Sequence, residues 1–266
     1  TGSDNTAVGK SALEQNTTAS NNTAIGSSAL ASTTTGANCT AVGQVAGTSN
    51  TTGSITAIGK SSLLLNTTGT SNTAVGNAAL RNNTTADNNT AVGDAALTAN
   101  TTGTHNVAVG ANALDANTTG SDNIAIGYQA LTTNATGDHN IAIGRGSLSL
   151  HTGTRCTSVG RATMEVNTAN DNTAVGYHAL VANTTGTSNT SLGSHALAAN
   201  TTAGSMTAVG YFALRNSTTG VNNTAVGTYA LEDNTTGVEN VAVGEGAIAN
   251  NTTGSLNTSV GDQAFF

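Results

Sequence analysis

The residues that could carry chemistry are few, and they stand at repeating places. One set of titratable side chains reads His105, Asp122, His139, Arg155 and Asp171, separated by 17, 17, 16 and 16 residues. Such a set could hold a metal or move protons. It could equally be a ladder of charges on neighbouring strands, each opposite pair contributing about 0.2–1 kcal/mol. The ladder is the expectation. No His, Cys, Asp or Glu spacing matches a metal site, and no nucleophile has an identifiable base with an orienting partner. No metal, cofactor or enzymatic activity is therefore expected. The chain has 32 glycines but no G-x-x-x-x-G-K, so these read as turn residues and not as a phosphate loop.

Aromatic residues make up only 3% of the chain, yet Tyr177, His178, His195, Tyr211, Phe212 and Tyr229 fall close together, with Tyr128 further upstream. An exposed strip of this kind contacts sugars or protein partners; otherwise it covers a groove or a subunit seam. The two cysteines, Cys39 and Cys156, occupy the same position of a repeat seven copies apart. At about 4.8 Å per copy they cannot bridge within one chain. Two buried free thiols are expected, with an interchain bond as the alternative.

The repeat that positions all of these residues is short. A glycine anchors each of sixteen copies, at Gly9, Gly26, Gly43, Gly59 and onward to Gly261; twelve of the fifteen spacings are 17 residues and three are 16. The consensus is N-T-A-V-G-x-x-A-L-x-x-N-T-T-G-x-x. A period this short, rich in Thr and Val and without a 3.6-residue apolar stripe, predicts an all-β fold, a β-solenoid with one 16–17-residue coil per copy. Stacked at about 4.8 Å, fifteen steps make a rod roughly 70 Å long. Residues 1–266 read as one repeat domain that begins and ends in mid-coil, as expected for a fragment of a longer fibrous protein.

Composition narrows the function. Charged residues are 8% of the 266, against about 25% in an ordinary domain. The formal net charge of −7 disfavours nucleic acid. No run of about 18 apolar residues is present, so no membrane insertion is expected. No signal peptide is visible. The N-T-T triplets are glycosylation sequons, and glycans every 4.8 Å along one edge would collide; a bacterial or viral origin is preferred on that ground.

The columns of the repeat predict an inside and an outside. The residue before each anchor glycine is Val, Ile or Leu in all sixteen copies, and the residue four after it is Leu, Met, Ile or Phe in fifteen, Gly47 being the exception. Both columns are expected in the core. The Thr or aliphatic residue three before the glycine shares a strand face with the Val column, so it is expected inward as well. The alternate face, Ala or Ser followed by glycine, is then outward. Its flat ladder, through Ala74, Ala91, Ala108 and Ala125, suits close approach by an identical chain and is the expected oligomer interface. Two asparagine columns are expected to satisfy turn backbone and each other.

The unit N-(T/V/I)-A-(V/I)-G-x-x-A-L resembles the left-handed β-roll repeat of trimeric autotransporter heads of the YadA type, whose motif runs N-S-V-A-I-G. It is similar also to N-T-A-V-G-Y-x-A-L-x-x-N-T-T-G arrays in phage tail-fibre proteins. The resemblance covers the whole chain. It implies a left-handed roll, a homotrimer, and an extracellular fibre segment on a virion or bacterial surface that attaches to a host glycan or protein receptor. This coil is longer than the usual head repeat, and Thr mostly stands where the first core Val is expected. The alternative function is ice binding: regular Thr ladders on a flat, uncharged solenoid can match an ice lattice, and N-T-A-V-G is similar to the Asn-x-Val-x-Gly coils of grass ice-binding proteins. A polysaccharide-cleaving β-helix lacks support, since no paired carboxylate cleft is legible.

Overall fold

The structure, a computed structural model, describes residues 2–265. Among these residues β-strands are the only regular secondary structure, and the fold is an all-β solenoid of repeating coils. The chain divides into two compact units, one up to Asp138 and one from His139 onward. The first holds eight strands, from β1 (Thr6–Val8) to β8 (Ile124–Ile126); the second holds eight more, from β9 (Ile141–Ile143) to β16 (Thr258–Val260). Within each unit every strand pairs in parallel with its neighbours in sequence. Register follows the repeat: Thr90, Ala91 and Val92 lie beside Val107, Ala108 and Val109, and Thr173, Ala174 and Val175 beside Thr190, Ser191 and Leu192.

The coil's turns explain why so much of the repeat is invariant. The anchor glycine has a φ of 130° at Gly110 and 140° at Gly93, which a side chain on an L-residue disfavours strongly. The chain also needs left-handed backbone at three ordinary residues per coil, such as Asn112, Leu114 and Asp122 with φ of 53°, 53° and 58°. One such residue is uncommon in most folds. Here a backbone hydrogen bond to a neighbouring coil holds each one: Asn112 N–H donates to Asp94 O, and Asp122 N–H to Thr104 O. Leu97 N–H donates to Ala113 O, Leu114 N–H to Ala130 O, and Asn117 N–H closes a turn on Leu114 O.

The core differs from the sequence expectation at the strand. Leu80, Leu97, Leu114 and Leu131, four after the glycine, are fully buried, as expected. The strand is reversed: Ala74, Ala91, Ala108 and Ala125 are also fully buried, whereas Ile58, Val92 and Ile126 expose 37–39% of their surface. The Ala column therefore points into its own coil and is not available to a second chain; the Thr and Val columns point out. The reason is room. A coil of 17 residues already encloses a leucine, a second alanine such as Ala113 and two asparagines, and only a methyl fits opposite them. The sequence carried the signal: that position is Ala or Ser in every copy, a restriction that an exposed site would not need. Where Ser stands there its hydroxyl is bonded internally, as Ser191 Oγ is to Ala196 O at 2.8 Å.

Exceptions in one core column are compensated in another. Gly47 stands where the other coils have a large apolar residue, and Ile55 occupies the asparagine position that opens the next copy. A Cβ on Gly47 would sit 2.9 Å from Ile55 Cδ1, so the isoleucine fills the space that the leucine would have taken.

Both asparagine columns are buried and converge on the same carbonyls. Asn89 Nδ2 and Asn100 Nδ2 each donate to Gly103 O at 2.9 Å. Asn89 Oδ1 accepts the backbone N–H of Asn106, and Asn100 Nδ2 also reaches Asn83 Oδ1. These bonds satisfy polar turn backbone inside the stack, where leaving it unpaired would cost about 1–3 kcal/mol per group. Cys39 and Cys156 occupy the first of these columns and are buried and free, as expected. Burial pushes the Cys156 thiol up to about 11.

Candidate functional site

Three surfaces remain after the core is accounted for. The first is the outward strand face. In each unit it is a ladder two residues wide, Thr, Val or Ile in one column and Val, Ile or Leu in the other, with no charge in either. Rungs repeat at about 4.8 Å across strands, and the two columns stand about 6.7 Å apart along them. Among the described residues the hydroxyls of strand threonines such as Thr73 and Thr90, both half-buried, meet no hydrogen-bond partner. The first Thr of N-T-T behaves differently: Thr101 Oγ1 donates to Thr118 O at 3.0 Å and Thr184 Oγ1 to Thr201 O at 2.9 Å. Those threonines serve the stack, while the strand threonines face solvent.

The second surface is the charged edge. In the first unit His105 Nδ1 lies 3.8 Å from an Asp122 carboxylate oxygen, with both side chains about half exposed. In the second, Arg155 grips Asp171 through two bonds, Nε to Oδ1 at 2.6 Å and Nη2 to Oδ2 at 3.0 Å. That pairing pushes the Asp171 carboxyl down and the Arg155 guanidinium up. Among the described residues no group of three His, Cys, Asp or Glu side chains could hold a metal. The geometry is a ladder of exposed pairs, each contributing little.

The third surface is the aromatic edge, which lies entirely in the second unit apart from Tyr128. The structure brings the six predicted residues together. Tyr177 stacks on His178 with ring centres 3.9 Å apart, and His195 meets Tyr177 and Phe212 edge-on, each at 5.2 Å. Phe212 lies 4.0 Å from Tyr211, and Tyr211 meets Tyr229 edge-on at 5.6 Å. Arg161 sits over Tyr177 and Arg215 over Phe212, at 5.8 and 4.3 Å. The residues occupy the first and second positions after the anchor glycine of four consecutive coils, where the turn throws side chains outward. Desolvation, followed by the nearby His178 and Arg215, lowers the pKa of His195. Tyr177, Tyr211 and Tyr229 remain exposed.

Comparison with models of protein families, with curated proteins and with solved structures finds no match. Function is therefore read from these surfaces alone.

Sequence reasoning missed two features. One is the outward direction of the Thr and Val columns. The other is a depression of about 300 Å³ beside Tyr229, lined also by Glu232, Glu245, Gly246, Asn250 and Gln263. Gly246 occupies the turn column that holds His178, His195, Phe212 and Tyr229 in earlier coils, and its lack of a side chain opens the space.

One buried group gives the second unit a dependence on pH. His151 replaces an asparagine of the second ladder and is fully buried, its Nδ1 2.9 Å from Asn167 O and its Nε2 3.2 Å from Asn140 Oδ1. Burial lowers its pKa. The folded state thus favours the neutral ring, and protons bind preferentially to the unfolded chain. Stability from this residue is present above the ordinary histidine pKa of about 6.5 and is lost as pH falls from there through the lowered value. Urea denaturation at pH 8 and pH 5 should show the second unit weaker at pH 5. His151→Asn, the column's own residue, should remove most of the difference; an unchanged difference would assign it elsewhere.

Proposed function

We propose that the chain is a structural and adhesive segment of an extracellular fibre, of the kind found in phage tail fibres or trimeric adhesin heads, and that it presents binding surfaces rather than catalysing a reaction. The observation that carries this reading is the uncharged Thr–Val face. Val92 and Ile126 in the first unit and Ile143 and Leu192 in the second expose 37–46% of their surface along it. A long regular stripe of branched aliphatics is unusual on a monomer. Identical parallel copies, as in a homotrimer, would cover it symmetrically and without like-charge repulsion. The interface assigned from sequence to the Ala column moves, in this reading, to the Thr and Val columns. The solvent-facing edges, where residue types vary from coil to coil, remain free to meet a host glycan or protein receptor.

The solvent-facing threonine hydroxyls favour a second reading on the same face, ice binding. A two-column array of hydroxyls and methyls at fixed spacings can order water, and the absence of charge avoids disrupting it. Sedimentation separates the two. The fibre reading expects a trimer that Val92→Lys, Val109→Lys and Ile126→Lys together convert to monomer. A wild-type monomer that shows thermal hysteresis, lost in the triple variant, would replace it with the ice reading.

A further inference from the structure

We infer that the aromatic edge of the second unit is a carbohydrate site for a neutral chain of all-equatorial pyranose sugars, running from Tyr177 past Tyr211 to the depression beside Tyr229. The inference rests on the chain being an adhesive, surface-presenting segment and names what that surface takes.

The aromatic content of the edge is the first observation. Such sugars carry axial C–H groups on both ring faces, which leaves those faces apolar and flat. They pack on exposed aromatic rings, whose faces are electron-rich. Tyr177, Tyr211 and Tyr229 are each exposed by 37–43%. The mutual contacts of the cluster, His195 against both Tyr177 and Phe212 and Tyr211 against Tyr229, fix the rings before any ligand arrives. A pre-set surface of this kind loses little side-chain freedom on binding. The tyrosines span three steps between coils, about 14 Å, which suits a short stretch of polysaccharide lying along the edge.

The depression is the second observation, and it is independent of the first. Glycine at position 246 is not demanded by the backbone. Its φ is 59°, and Phe212 and Tyr229 adopt the same 59° two coils and one coil earlier. A Cβ there would meet only Gln263 Cγ, at 3.5 Å, an ordinary contact. What glycine contributes is the missing side chain. The space that results has one aromatic wall, Tyr229, and polar groups around it: Glu232, Glu245, Asn250 and Gln263. A ring face above Tyr229 would turn its equatorial hydroxyls toward these carboxylates and amides, which accept and donate hydrogen bonds in the plane of the sugar. Charges along the strip balance: Glu232 pairs with Arg215 at 3.4 Å, Arg161 lies over Tyr177 and Glu245 lines the depression, so the site offers no excess positive charge to an acidic sugar and suits a neutral one.

Affinity electrophoresis of the full chain through native gels containing a soluble neutral β-glucan tests the inference, with polygalacturonate gels as the acidic control. Retarded migration in β-glucan and none in polygalacturonate are expected. Tyr211→Ala with Tyr229→Ala should weaken the retardation at least about tenfold, given the contribution of aromatic contacts. Gly246→Tyr, a residue that Tyr229 shows this backbone position can hold, should weaken it by filling the depression, while a cooperative melt lowered by no more than several degrees shows the fold intact. Wild-type migration equal to that in blank gels overturns the inference, as does retardation that these variants retain. Sedimentation of the same variants keeps the two readings apart, because the aromatic edge is not the Thr–Val face. Lost retardation with intact association leaves the fibre reading standing, and retardation by a chain that never associates leaves the site standing without the fibre.

Discussion

Leu114→Asp is expected to abolish cooperative folding of the first unit, and Ala108→Asp to do nearly as much, while Val109→Asp lowers the melting temperature only slightly. Leu114 and Ala108 are fully inside the coil. A carboxylate at either place meets the apolar rungs above and below and the buried asparagines. Even truncating a buried leucine costs about 2–5 kcal/mol, and an unpaired buried charge costs more. Alanine at 108 adds a steric conflict, since the space opposite Leu114 accepts only a methyl or a hydroxymethyl. Val109 is the informative control because it is adjacent in sequence and chemically the most apolar of the three positions after leucine. Its side chain points out of its own coil, so within a single chain the carboxylate of Val109→Asp stays in water and the cost should remain within about 1 kcal/mol; melts at concentrations where sedimentation finds only monomer keep loss of association out of the comparison. Thermal melts followed by circular dichroism give the ranking. Equal damage from Ala108→Asp and Val109→Asp would mean that the strand is not turned as described.

The second large effect is expected at the anchor glycines. Gly93→Ala should destabilise the first unit by about 3 kcal/mol or more, since it combines two penalties. The φ of 140° lies where L-residues are strained. A Cβ would also stand 2.6 Å from the carbonyl carbon and oxygen of Gly110 in the next coil. Those atoms are backbone held by the ladder, and they cannot swing away as a side-chain end could. The two coils would have to part locally, with loss of bonds such as Gly110 N–H to Val92 O at 2.8 Å. Gly246→Ala in the second unit is the contrast: its φ is one that neighbouring coils fill with Phe and Tyr, and its Cβ meets nothing closer than 3.5 Å. That change should cost no more than about 1–2 kcal/mol, the ordinary penalty of a side chain in left-handed backbone, with no clash added to it. Glycine at these two places has different meanings, a steric requirement at 93 and an absent side chain at 246.

Most of the architecture was legible from the chain alone because it is local and repeated. A 17-residue period, an anchor glycine, a leucine four residues later and two asparagine columns are enough to require one coil per copy, parallel in-register strands and buried polar ladders. Repetition places like residues on like, so register is not a separate problem. The buried free cysteines and the aromatic cluster followed from the same logic, since residues at equal offsets in consecutive coils must be neighbours. The direction of the strand faces did not follow. Alternation says that Ala91 and Val92 point opposite ways, but not which way, and the larger apolar side chain suggested the core. Only closure of the coil decided it: with Leu97, Ala96, Asn89 and Asn100 already inside, the enclosed volume admits alanine and excludes valine. Packing density overrode hydrophobicity, and the Thr and Val ladder became the surface. The space beside Tyr229 was likewise invisible in sequence, because a glycine among dozens reveals that it is an absent side chain only when its neighbours in the stack are seen to share its backbone conformation.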